Sequence, residues 1–237
     1  MISRDATIFL LDVDDTLLDN DALEAHLRRH LERAFGQERA QRYWAIFESL
    51  REELGYADYL GALQRYRLEN LLDPHLLEIS LFLVDYPFRQ LVYPRALEVV
   101  RHLGKWGPRV ILSDGDVVFQ PRKVQQSGLW DAVGGQVLIY IHKEQMLDDV
   151  ERRCPAEHYV LIDDKLRILA AVKDAWGERV TTVFPRQGHY ANDPELLGRY
   201  PLADVNVDQI ADLLDWTPDR PAVSPRKTAG AAAGHRQ

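Results

Sequence analysis

The stretch Thr7–Leu18, TIFLLDVDDTLL, constrains this chain more than any other. It opens with five apolar or β-branched residues, the pattern of a fully buried strand. It then runs straight into Asp12, Asp14 and Asp15, followed by Thr16. Carboxylates this close raise one another's pKa unless a cation or hydrogen-bond donors compensate. A hard divalent cation does so readily, and Mg²⁺ typically takes one or two carboxylates and then a substrate phosphate.

Bulk properties narrow the field. The 237 residues can bury one good core with room for a second small one. A net charge of −8, with no basic run outside the tail, argues against a nucleic-acid partner. The single cysteine, Cys154, rules out an intrachain disulfide and fits a reducing compartment. Met1 leads directly into the first strand and no apolar run reaches membrane-spanning length, so a cytoplasmic protein without a signal peptide or membrane partner is expected.

Beyond Leu18 the pattern turns helical. Leu23, Leu27, Leu31 and Phe35 recur every four residues. Tyr43, Phe47, Leu50 and Leu54 mark a second helix, and Tyr59, Leu63, Tyr66 and Leu68 a third. A fourth begins at Asp73-Pro74 and carries Leu77, Leu81 and Val84. Residues 19–91 therefore read as an all-helical insert, whose His26/His30 pair is expected on a solvated face. From Tyr93-Pro94 strands and helices alternate. Strands are expected at Arg109–Leu112, Val137–Ile141, Tyr159–Ile162, Val180–Phe184 and, at an edge, Ala203–Val207. This predicts an α/β fold, a Rossmann-like parallel sheet with helices on both faces, formed by residues 1–18 and 92–216. In such sheets ligands bind outside the carboxyl ends of the strands, where Ser113, Lys143, Asp163 and Asp164 all fall. Residues 217–237 lack periodicity and read as a disordered tail.

The form hhhD-x-D-x-T-L, filled by Asp12, Val13, Asp14, Asp15, Thr16 and Leu17, resembles the first motif of the haloacid dehalogenase-like hydrolases. Asp15 stands where that family usually has Gly. VILSDG around Ser113, Lys143 at a strand-to-helix junction and the Asp163-Asp164 pair resemble its other three motifs, in order. The resemblance implies a phosphatase with a helical cap, in which Asp12 is the nucleophile and Asp14 the general acid and base. Ser113, Asp114 and the amides that follow would hold the phosphoryl oxygens, with Lys143 offsetting their charge. Mg²⁺ would be held by Asp12, the Asp14 carbonyl and Asp163, with Asp164 and Thr16 in support. The place of a further acid or amide in the fourth motif is Ile168, which makes metal ligation beyond Asp163 less certain. Lys123, the rival to Lys143, reads as a surface lysine. Arg65, Tyr66 and Arg67 of the insert, and Arg186 and His189 after the Val180–Phe184 strand, are candidates to face the substrate.

The implied partner is a small phosphorylated molecule of unknown identity; monomer and homodimer stay open. Alternatives remain. A haloacid dehalogenase has no leaving alcohol to protonate and typically lacks an acid at the Asp14 position. Phosphonate cleavage would need a cap lysine, and residues 19–91 contain none. A phosphomutase would use the same two aspartates. A receiver-like phospho-switch is about half this length, and a catalytically dead scaffold would not need the Asp12–Asp14 pair.

Overall fold

Strand β1 (Thr7–Leu11) lies inside a parallel sheet, with Leu11 opposite Ile111 on one side and Ile162 on the other. The computed structural model describes residues 7–218, so the expected tail falls, from residue 219 onward, outside the described residues. The other strands are β2 (Arg109–Asp114), β3 (Val137–Tyr140), β4 (His158–Ile162), β5 (Val180–Pro185) and β6 (Val205–Val207). All pair in parallel, in the order β3-β2-β1-β4-β5-β6. The chain builds outward from β1 in one direction, then returns to build in the other. The strand order therefore reverses between β1 and β4, and a crevice opens at their carboxyl ends.

Alternation along β1 divides the core. Phe9 and Leu11 face one apolar cluster, Ile8 and Leu10 the other, and all four are fully buried. Helices α8 (Leu147–Arg153) and α9 (Leu166–Trp176) cover the second face through Val150, Leu169 and Val172. Helices α5 (Ala96–Leu103), α6 (Phe119–Ser127) and α7 (Leu129–Ala132) cover the first. Helix α6 starts at Phe119, three residues after Asp116. Asp116 Oδ1 accepts the N–H groups of Val118 (2.8 Å) and Phe119 (2.7 Å), holding that segment as a capping turn.

Between β1 and β2 lie four further helices, α1 (Asn20–Phe35), α2 (Gln37–Leu54), α3 (Tyr59–Glu69) and α4 (Leu76–Val84). Their two connections to the sheet run side by side. Asp19 N–H donates to the Leu91 carbonyl at 2.8 Å, and Tyr93 N–H to that of Leu17 at 3.0 Å. In α1 the four-residue spacing of Leu23, Leu27, Leu31 and Phe35 is the buried stripe. In α4 it is not. Ile79 and Leu83 are buried there, whereas Leu77 and Leu81 are exposed, as is Leu68 on α3. LLEISLFLV is apolar nearly all round, so no polar face sets its phase and the neighbouring helices decide it. The His26/His30 pair is not solvated either. His26 Nδ1 meets the Tyr86 hydroxyl, and the His30 ring stacks on Phe82 with centroids 4.0 Å apart. Among the described residues, no helix is long and apolar enough to cross a membrane.

Candidate active site

Asp12 continues the ladder of β1, its N–H donating to the Ile162 carbonyl at 3.0 Å. One residue later the chain turns sharply, with the N–H groups of Leu17 and Leu18 both on the Val13 carbonyl at 2.9 Å. The turn puts Asp15 at φ 57°, the left-handed region in which Gly is the default and Asp one of the tolerated alternatives. That conformation accounts for the family's usual Gly at this position, and the turn carries Asp14 back toward the strand end.

Lys143, buried at the start of a short 3₁₀ turn after β3, closes the site from the other side. Its Nζ lies 2.5 Å from Asp12 Oδ1, 3.3 Å from the Leu112 carbonyl and 2.7 Å from Asp163 Oδ2. Burial works against its charge, but attraction to Asp12, Asp163 and Asp114 outweighs this and pushes its pKa up. Thr16 Oγ1 accepts the Asp164 N–H at 3.0 Å and donates to Asp12 Oδ2 at 3.5 Å, tying the ends of β1 and β4 together. One carboxylate oxygen from each of Asp12, Asp163 and Asp164 lies within 4.8 Å of the others.

The two acids after β4 are not equivalent. Asp163 faces Lys143 through Oδ2 and accepts the Lys165 N–H through Oδ1 at 2.9 Å. Asp164 is equally buried, and neither of its oxygens has a hydrogen-bond partner. Burial pushes both carboxyls up, which is a costly state for acids with so few donors. Ile168 lies in the core behind them.

Lys123 is not a surface residue. It is 1 % exposed, and its Nζ lies 2.6 Å from Asp14 Oδ1 and 3.0 Å from Asn20 Oδ1 at the start of α1. Gln120, one turn earlier, donates from Nε2 to Asp14 Oδ2 (3.1 Å) and to Ser113 Oγ (2.9 Å). Both lie on the face of α6 that also buries Val124, Phe119 and Ser127. The sequence does not mark this face as the inward one, because lysine and glutamine are ordinarily surface residues. Asp114 Oδ1 accepts the Lys143 N–H at 2.7 Å, and the Gly115 N–H donates to the Tyr140 carbonyl at 2.9 Å. That carboxylate and that amide are engaged at the sheet end, while the Ser113 hydroxyl accepts from Gln120 and lies 3.4 Å from the Asp114 carbonyl.

A cavity of about 270 Å³ opens above these groups, between the sheet end and the four-helix insert. From the insert it is lined by Glu24, Phe47, Arg51, Tyr56 and Tyr59, not by Arg65, Tyr66 or Arg67. Tyr66 is buried against Asp73, and Arg65 pairs with Glu53. From the loop after β5 it is lined by His189 and Tyr190, not by Arg186.

Comparison with solved structures yields a haloacid dehalogenase-like hydrolase from Burkholderia xenovorans LB400, 64 % identical over 90 % of this chain and 99 % of that one, with a TM-score of 0.86. The chain belongs to the haloacid dehalogenase-like hydrolases. Two distant members share the fold. The HAD-hydrolase YfnB of Bacillus subtilis, bound to magnesium, is 20 % identical, with 89 % of this chain and 98 % of that one covered and a TM-score of 0.59. The L-2-haloacid dehalogenase of Xanthobacter autotrophicus, with chloropropionic acid covalently bound, is 19 % identical over 89 % and 97 %, with a TM-score of 0.57. No family model matches the chain. No curated protein matches it either.

Within this hydrolase Asp15 has a measurable signature. Burial, then repulsion from Asp21 and Asp14, raises its pKa from 3.8 to about 7, although the N–H groups of Asn20 and Asp21 partly offset this. Between those two values the folded state binds a proton that the unfolded state has released, so Asp15 makes stability fall as pH rises through this window. Asp15→Asn keeps an acceptor and removes the charge. In EDTA its stability should match wild type near pH 4 and exceed it above pH 7 by up to about 4 kcal/mol, read as a higher melting temperature. Parallel melting curves across that range would contradict the assignment.

Proposed function

We propose that this hydrolase is a Mg²⁺-dependent phosphatase of small phosphorylated metabolites that works through an aspartyl-phosphate on Asp12. The observation that carries the reading is Asp14. Its carboxylate is held at the site by Lys123 and Gln120, where a group that protonates a leaving alkoxide is needed and where a dehalogenase has no use for one. The donor set also fits the metal. Asp164 offers two buried oxygens without partners beside Asp12, and all the candidate ligands are hard oxygens. Asp12, Asp164 and the Asp14 carbonyl would hold Mg²⁺, with Asp163 of the same carboxylate cluster facing Lys143. When bound, the ion offsets charge on the phosphoryl oxygens.

In the first step an Asp12 oxygen attacks phosphorus, the ester P–O bond breaks, and Asp14 gives its proton to the departing alkoxide. In the second, Asp14 takes a proton from water as that water attacks phosphorus, and Asp12 is released with inorganic phosphate. Lys143 and Ser113 stabilise the phosphoryl oxygens in both. Residues 19–91 would serve as a cap over the site, and their first turn meets the loop after β5 through His189 Nδ1 to Asp21 Oδ1 at 2.5 Å. A cytoplasmic setting is part of the same reading.

The test is phosphate release from an ester panel, with Mg²⁺ and with EDTA, beside halide release from 2-chloropropionate. Phosphate release that needs Mg²⁺ and falls about 10²–10⁴-fold in Asp14→Asn is the expected result. Metal-independent halide release without phosphate release would overturn it. Lys123→Met should lower kcat about 10-fold or more while Mg²⁺ binding persists, because Asp14 then keeps Gln120 as its one side-chain donor.

A further inference from the structure

We propose that Arg51 and Lys165 form a second anion subsite in the cavity, so that the substrates are phosphate monoesters carrying another anionic group, a carboxylate or a second phosphate. This deepens the phosphatase reading and rests on it. The inference comes from following each charge that faces the cavity to its partner. Lys143 is spent on Asp12 and Asp163, and Lys123 on Asp14. Arg167 pairs with Glu144 at 2.5 Å, and the acid of the insert, Glu24, with Arg28 at 2.6 Å.

Two cations remain. Lys165 has no carboxylate within 4.0 Å of its Nζ among the described residues. Arg51 meets Glu48 only at 3.6 Å, and that carboxylate is itself half exposed. Both cations converge on one neutral side chain. Arg51 donates to the Tyr190 hydroxyl with its guanidinium carbon 5.9 Å from the ring centre, and Lys165 Nζ lies 5.1 Å from that centre. Arg51 comes from the insert and Lys165 from the sheet, so an anion bound by both would also hold the cavity shut. Phe47, Tyr56, Leu166 and Leu197 line the same space, and a wall that excludes water strengthens a charge contact. Neither cation has a carboxylate oxygen within 3.5 Å among the described residues, so each keeps N–H donors for an arriving anion. The cavity volume restricts that anion to small-metabolite size.

A rival role for Lys165 is to offset Asp164 and Asp12, whose charges favour its protonated form. Binding separates the two. In the Asp12→Asn background with Mg²⁺, calorimetric titration would compare ethyl phosphate with 2-phosphoglycolate and with propane-1,3-diyl bisphosphate. At least one doubly functional ligand should bind about 10-fold or more tightly than ethyl phosphate, and whichever does so names the second group. That ratio should fall below about 2-fold in both Arg51→Met and Lys165→Met, and Arg51→Lys should restore part of it. No preference in the Asp12→Asn parent, or one that survives both substitutions, would overturn the subsite. Preference without phosphate release by the wild-type protein would instead remove the phosphatase reading and leave the subsite standing.

Discussion

Replacing Asp12 with Asn should abolish phosphate release, by about 10⁴-fold or more, while the protein stays folded. Loss of a nucleophile that acts together with its partners removes nearly the whole chemical contribution of the set. Asp14, Lys123 and Gln120 remain in place in this variant, yet none can form the covalent intermediate. The fold should tolerate the change because Asn keeps the volume and an acceptor, and Lys143 retains Asp163 at 2.7 Å. The measurement is kcat on the best ester beside the melting temperature. An active Asp12→Asn protein would show that water attacks phosphorus directly and would end the covalent mechanism. An inactive one that is also unfolded would point to a structural role for Asp12.

Lys143→Met should have the largest effect on stability. It leaves Asp12, Asp163 and Asp164, all buried, without the ammonium that lies between the first two. Removing one partner of a buried ion pair costs about 3–5 kcal/mol, because the remaining charge is uncompensated. For a domain of this size that lowers the melting temperature by roughly 10 °C. The sign of two further effects follows. Without Lys143 the carboxylates hold protons more tightly in the folded state than in the unfolded chain, so the deficit should shrink as pH falls toward 5. Added Mg²⁺ should also shrink it by binding the folded state alone. Melting curves of Lys143→Met that overlay wild type at pH 8 in EDTA would show that Lys143 is not the counter-ion of this cluster.

Much of the site was legible because chemistry and strand pattern coincide in this chain. Each apolar run that ends in Asp12, Ser113 or Asp163-Asp164 is a buried parallel strand, and parallel strands bring their carboxyl ends to one edge of the sheet. Lys143, which follows a strand, was legible for the same reason. Lys123 was not, because its position within a helix says nothing about which face packs inward. Only the docking of α6 against the start of α1 turned it toward Asp14. Leu77 and Leu81 failed in the same way, on a helix too uniformly apolar to show its phase. Asp15 stood out as a departure from the family's Gly, but its consequence needed φ and burial together.

By itself, then, the sequence determined the alternation of strands and helices, the place of the insert and the strand-end residues of the site, since period-two burial and turn chemistry are local properties of the chain. The tertiary structure decided which of two adjacent aspartates keeps unpartnered oxygens, which lysine holds Asp14, and which side chains of the insert meet the cavity. Those outcomes depend on distances between segments up to 168 residues apart, as between Asp21 and His189, and no local pattern encodes such a distance.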